Sequence, residues 1–324
     1  MQVNFRSADA RTPVSTVGRV QRTLILKTFP GFARLEGAEL AVLEAIMTER
    51  VYRKGELLHR PGELVESFHF IVEGQVQNYR LGVPTRVFGS RSVVGGIASL
   101  TRDPEGAHVE ALTDVLTLVV HQEDMADVFE EYTNIALAVM RSMAEALREM
   151  QIEQVGNTAP GRHFDDFPTD QPLGLVEKMF VLRQSTNYGG AGIEPLAEIA
   201  KESVEVRFEE GMKIWSAGDL ADWSLTVVSG RAIAKTPTGH TRCFPAGWVV
   251  GGPDAMSQQP RWYDLYAGEN LVGLKGRTVA FHDVLEEYPE LTMHMLQTLA
   301  RAVGALLDQQ ALQQSEGEGT SLPK

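Results

Sequence analysis

Between Leu40 and Leu147 the apolar positions change period twice. Leu40, Leu43, Ile46 and Met47 recur at helical spacing, and short apolar or β-branched runs punctuated by glycine follow. From Met125 the helical spacing returns through Val128, Phe129, Ile135, Val139, Met143 and Leu147. The pattern predicts a short helix over Glu39–Met47 and strands at Glu56–His59, Phe68–Val72, Gln75–Tyr79, Thr85–Phe88, Ala107–Ala111 and Leu116–Val120. One long amphipathic helix over Met125–Met150 then closes the unit. Many short strands between turns imply a roll or sandwich. Alternation along the strand places His69, between Phe68 and Phe70, on its outer face as a surface residue.

The pattern occurs twice. Residue n aligns with residue n + 156 without insertion, so that Gly55, Gly62 and Gly74 fall on Gly211, Gly218 and Gly230. Val93-Val94-Gly95-Gly96 falls on Val249-Val250-Gly251-Gly252, Phe88 on Phe244, and Pro104 on Pro260. Leu196 and Ile199 repeat the opening helix, and Leu285–Leu307 repeats the closing one. The period is too long for a solenoid unit and describes a duplicated domain, each copy with its own core. The expected organisation is a flexible arm (1–20), domain 1 (21–152), a Pro/Gly/Asp-rich linker (153–172), domain 2 (173–312) and a disordered tail (313–324).

Composition agrees with two folded domains in 324 residues: 43% of positions are hydrophobic and 23% charged. The single cysteine, Cys243, excludes an intramolecular disulfide and fits a reducing, cytoplasmic setting as a small strand residue. A net charge of −13, with 43 acidic residues among 30 basic ones, argues against nucleic acid as a partner. No run approaches 18 apolar residues, so no membrane span is expected.

Helix, β-roll and closing helix is the order of a cyclic-nucleotide-binding domain, and the glycine framework resembles that family. Arg53-Lys-Gly-Glu-Leu-Leu-His-Arg-Pro-Gly-Glu63 and Phe68-His-Phe-Ile-Val-Glu-Gly-Gln-Val76 are similar to its paired-turn signature, and Glu210-Gly211, Gly218-Asp219 and Leu225-Thr-Val-Val-Ser-Gly230 repeat it. The fold this implies is mainly β with flanking helices: two tandem β-rolls of the jelly-roll type. The resemblance also implies a ligand cassette in which a Gly-Glu turn holds ribose and a Pro-Arg segment holds the cyclic phosphate. In domain 1, Gly95-Gly96 leaves glycine at the glutamate position, and Pro104-Glu105 puts a carboxylate at the arginine position. A carboxylate facing a phosphodiester would abolish micromolar binding. In domain 2, Gly251-Gly252 again lacks the glutamate while Pro260-Arg261 keeps the arginine, and Trp262-Tyr263 follow where small residues are usual. The candidate ligand residues are therefore Gly251, Gly252, Arg261, Trp262 and Tyr263, beside a degenerate set Gly95, Gly96 and Glu105. The two rings are expected to fill the pocket beside the phosphate.

Catalytic and metal signatures find no support. The eight histidines form no His-x-His pair, His163-Phe-Asp165-Asp166 reads as a solvated acidic loop, and neither a nucleophile elbow nor a Walker loop occurs. Little chain follows the second closing helix to make a DNA reader, and the N-terminal segment has no Arg-Arg-x-Ser/Ala pseudosubstrate like that of kinase regulatory subunits. Met140, Met143, Met150, Met293 and Met295 are read as core, with homodimerisation through the closing helices as the other use of that face. The expectation is a non-catalytic regulatory or scaffold protein without cofactor, acting through another protein or sensing a non-standard ligand. The alternative is a cAMP or cGMP receptor with one functional site in domain 2.

Overall fold

A computed structural model describes residues 18–103, 108–153 and 170–318. Domain 1 opens with α1 (Arg19–Leu26), a 3-10 turn at Pro30–Phe32 and α2 (Gly37–Ile46). Strands β1 (Thr48–Tyr52), β2 (Leu57–His59), β3 (Ser67–Glu73), β4 (Val76–Arg80), β5 (Val83–Phe88) and β6 (Val93–Val94) follow, then α3 (Gly96–Thr101), β7 (His108–Ala111) and β8 (Val115–His121). The domain closes with α4 (Gln122–Glu131) and α5 (Thr133–Glu153).

Domain 2 repeats this series. It begins with α6 (Leu175–Gln184) and α7 (Ile193–Glu202), then β9 (Val204–Phe208), β10 (Lys213–Trp215), β11 (Trp223–Ser229), β12 (Arg231–Lys235), β13 (Thr241–Pro245) and β14 (Val249–Val250). After these come α8 (Gly252–Ser257), β15 (Asp264–Ala267), β16 (Leu271–Arg277), α9 (Thr278–Glu287) and α10 (Pro289–Glu318).

Each copy folds into two facing four-stranded antiparallel sheets. The orders β1-β8-β3-β6 and β2-β7-β4-β5 reappear as β9-β16-β11-β14 and β10-β15-β12-β13. Even the irregularity in β3, between Ile71 and Glu73, returns in β11 between Val227 and Ser229. The repeated turn glycines Gly55, Gly62, Gly74, Gly211, Gly218 and Gly230 all have positive φ, as the shared register requires.

Four expectations are corrected. His69 is buried, 1% exposed, not on the surface. Period-2 alternation gives β3 no wet face, because Phe68 and Phe70 pack on the helices while Ile71 lies in the roll interior. The closing helix is broken: Tyr132 and Tyr288 take non-helical backbone (φ −124° and −125°), and Pro289 keeps the residue before it out of the α region. Helix α10 runs to Glu318, so 313–318 are helical; the rest of the expected tail, most of the linker and nearly all of the N-terminal arm lie outside the described residues. The cores are not separate either. Each roll has its own interior cluster, but one large cluster joins the helices of both copies, from Phe29 and Met140 to Met295 and Val303.

The two closing helices create that shared core. Helix α5 packs on α10, and each also crosses to the other copy, α5 onto α8 and α10 onto α3. The apolar face considered for homodimerisation is thus covered within one chain. Met140 and Met295 are fully buried there, with Met143, Met150 and Met293 packed around them. Among the described residues no helix is long and apolar enough to cross a membrane.

Candidate functional site

The glycine pairs open the short helices α3 and α8. Gly95 (φ 85°) and Gly251 (φ 75°) are their left-handed N-caps. Both are needed for space as well as for backbone conformation. A Cβ on Gly251 would run into Arg261 Nη1 and lie 3.0 Å from the Trp215 ring; one on Gly95 would come within 2.5 Å of His59 Nε2 and of the Ser67 carbonyl.

Arg261 is therefore not a ligand arm. Its side chain has no exposure; Nη1 donates to the Gly251 carbonyl (2.9 Å) and Nη2 to the Trp223 carbonyl, and Asp254 lies 3.7 Å away. The guanidinium also lies over the Trp215 ring, 4.1 Å from its centroid. Burial lowers its affinity for a proton, opposed by Tyr263 and Asp254, and the group ties the glycine turn to strand β11. The expected phosphate anchor is a structural clamp.

The space itself lies on the other side of the turn. In domain 2 a cavity of about 670 Å³ is bounded by Gly251, Gly252, Trp262 and Tyr263, while Arg261 is absent from its lining. The rings wall the cavity and do not fill it: Tyr263 packs on Trp215 (5.8 Å) and on Trp262 (4.9 Å, edge-on). Domain 1 has the corresponding cavity, about 370 Å³, against Gly95 and Gly96. Glu105 lies outside the described residues.

Residue by residue the two cavities match at the repeat offset, Arg86 and Phe88 on one answering Arg242 and Phe244 on the other. Their lids are shared. Val303 and Leu307 of α10 line the domain 1 cavity, and their counterparts Leu147 and Gln151 of α5 line that of domain 2. Each cavity is thus walled by its own closing helix and by part of the other copy's, a reciprocal arrangement like that of a two-fold dimer made within one chain. Polar contacts hold the arrangement: Arg148 of α5 donates to Asp254 Oδ1 (3.1 Å) and to the Pro260 carbonyl (3.1 Å), and Arg80 of β4 donates to Asp308 of α10 (2.6 Å).

Electrostatically the cavities differ. In domain 1 the buried Arg80 is paired with Asp308 and, at 3.7 Å, with Asp103. In domain 2 the position of Arg80 is Thr236, and the half-buried cation is Arg242, lying over Phe244 (5.2 Å) with no hydrogen-bond partner at Nε. Trp248 Nε1, on the same wall, is also buried without a partner. The one carboxylate facing this cavity, Asp254, already has two arginines; burial nevertheless pushes its pKa up to about 6.

The roll, the positive-φ turns and the glycine-capped cassette helix together match one known domain type. Residues 49–132 match the model of the cyclic nucleotide-binding domain family. The chain is also similar to part of a cyclic nucleotide-gated potassium channel of Rhizobium etli, 26% identical over 137 residues, which are 42% of this chain and 36% of the channel. The chain thus spans about a third of the length of that relative. Among solved structures, the regulatory domain of Toxoplasma gondii protein kinase A, crystallised with cAMP, aligns over 92% of this chain and 96% of its own at 18% identity and a TM-score of 0.34. The N-terminal domain of a transcriptional regulator from Streptomyces coelicolor aligns over 41% of this chain and 99% of its own at 25% identity and a TM-score of 0.36.

The sequence pattern reveals the turn residues of both rolls but not Arg242, Trp248, Leu147 and Gln151. One signal was available for Arg242. The register that pairs Phe88 with Phe244 also pairs Arg86 with Arg242. Leu147 and Gln151 had none, since nothing along the chain says whose cavity a helix covers.

Proposed function

We propose that this chain is a cytoplasmic, non-catalytic regulatory module whose cavities sense a ligand other than a cyclic nucleotide and report it to a partner protein through the shared closing helices. The observation that carries the reading is Arg261. Its guanidinium is wholly buried and held by the Gly251 and Trp223 carbonyls, Asp254 and the Trp215 ring, with Nε alone left unpartnered inside the protein. Withdrawing it would leave Asp254 with Arg148 alone and open the turn at Gly251. The missing carboxylates at Gly96 and Gly252 support the same reading, since neither cassette offers a ribose an acceptor side chain there. What remains is a space walled by the closing helices of both domains, so a ligand in either cavity bears on the interface between the copies.

Isothermal titration of the full chain with cyclic AMP and cyclic GMP tests the reading. No saturable heat is expected with either nucleotide. Saturable micromolar binding would overturn it in favour of a nucleotide receptor with one working site in domain 2.

A further inference from the structure

Resting on the reading of domain 2 as a sensing site, we propose that its cavity binds a planar aromatic anion, anchored by the Arg242 guanidinium and stacked against Trp248, Trp262 and Tyr263. The site is distinct in its chemistry from the cassette arginine, which is locked elsewhere. Arg242 stands on β13, on the wall opposite the glycine turn.

The first argument is an unanswered charge. Arg242 is largely withdrawn from water, its Nε has no hydrogen-bond partner, and burial lowers its proton affinity with only the Tyr263 phenol opposing. A guanidinium stays charged, and holding it desolvated without an acceptor costs free energy unless something arrives to accept from it. Trp248, whose Nε1 is likewise buried without a partner, supplies an indole to the lining of the same space. Asp254 cannot supply the acceptor, being held by Arg148 and Arg261 on the cassette side.

The second argument is shape and wall chemistry. A cavity of about 670 Å³ falls in the range of small-molecule sites, and two indoles and a phenol along one side favour a flat ring. A planar fork matches a carboxylate or similar group in two parallel hydrogen bonds. The other basic side chains lining the space differ from Arg242: His294, its proton affinity lowered by burial, donates Nε2–H to the Asn187 carbonyl (3.2 Å), and Arg301 is exposed and reaches Gln297 at 3.4 Å.

Domain 1 supplies the contrast. Its cavity is smaller, its buried arginine is already neutralised by Asp308 from the lid, and Arg86, the counterpart of Arg242, is exposed. The domain 1 cavity thus has no counterpart of a half-buried Arg242. One equivalent of ligand per chain follows.

The full chain would be titrated with 2-naphthoate and with its uncharged analogue 2-naphthamide, alongside R242Q, R242K and R86Q, with thermal melts of each variant. Expected are one site for naphthoate, at least tenfold tighter than for the amide, and collapse of that preference in R242Q with the amide affinity unchanged. R242K should keep part of the preference and R86Q all of it. Equal affinity for acid and amide, two equivalents per chain, or a preference that survives in R242Q would overturn the proposal. If R242Q melts below the assay temperature, a complete loss of preference in a folded R242K also overturns it. Cyclic AMP titrated in parallel separates the two levels: saturable cyclic AMP binding sinks the broader sensing reading, whereas silence with both cyclic AMP and naphthoate sinks this ligand alone.

Discussion

Arg80 at the end of β4 and Asp308 on α10 are 228 positions apart, yet Nε of one donates to Oδ1 of the other at 2.6 Å. The arginine is 4% exposed and the aspartate about a third, so the pair sits at the edge of the lid and is not fully buried. Replacing Asp308 by Asn leaves Arg80 with the more distant Asp103. Allowing for the exposure of the aspartate, D308N should lower stability by about 1–2 kcal/mol in urea denaturation. An unchanged midpoint would mean that the lid is held by apolar contacts alone.

The glycine turns make a sharper test because neighbouring positions differ. Gly251→Ala forces a Cβ into the left-handed region against Arg261 and Trp215, and a loss of about 2–4 kcal/mol is expected from strain and displaced packing. At Gly252 the nearest atom to a new Cβ is 3.8 Å away and the residue begins α8. Gly252→Ala should therefore be neutral or stabilising by up to about 1 kcal/mol. Comparable thermal melts for the two variants would refute the clamp.

Asp254 sets one pH dependence. Its folded pKa of about 6 lies above the ordinary 3.8, so between these values the folded chain takes a proton that the unfolded chain lacks. The stability contributed by this group is present in full below pH 4 and falls as pH rises through about 6, by up to about 3 kcal/mol at 1.36 kcal/mol per unit. Asp254→Asn should remove that slope. The difference in urea midpoint between wild type and D254N, measured from pH 4 to 7, checks it.

A second pH dependence has the opposite sign. His59 and His69 stack edge-on at 4.6 Å inside the first roll, His69 near Ser67 Oγ (3.0 Å) and Tyr52. Burial lowers them from 6.5 to about 4 and about 3, with His59 and Arg50 adding to the shift of His69. Both are neutral when folded and protonate on unfolding, so their contribution is complete above pH 6.5 and is lost as pH falls, at up to about 1.4 kcal/mol per unit for each ring. His59→Phe should flatten acid unfolding between pH 6 and 4. An identical acid midpoint in the variant would show that the pair is not the group responsible.

Much of the fold was legible because duplication acts along the chain. A 156-residue register with no gap carries Gly55, Gly62, Gly74 and Gly95 onto Gly211, Gly218, Gly230 and Gly251, and such turns need positive φ whichever copy holds them, so the two rolls and their strands follow from local pattern. The identity of the cassette turns was legible for the same reason. Side-chain direction was not. Arg261 sits where a phosphate ligand would be expected from the motif, but two indole rings, two carbonyls and a buried carboxylate reached from distant strands turn it inward. His69 was misplaced because alternation assumes one wet face, and β3 has none.

The sequence by itself determined two β-rolls with glycine-capped cassettes that lack the ribose carboxylate. Only the tertiary structure decided that α5 and α10 each reach over both cavities, that Arg261 is a clamp, and that Arg242 Nε is left without an acceptor. The physical reason is that helical periodicity specifies an apolar stripe but not the surface it covers. In this chain that surface is made by both copies.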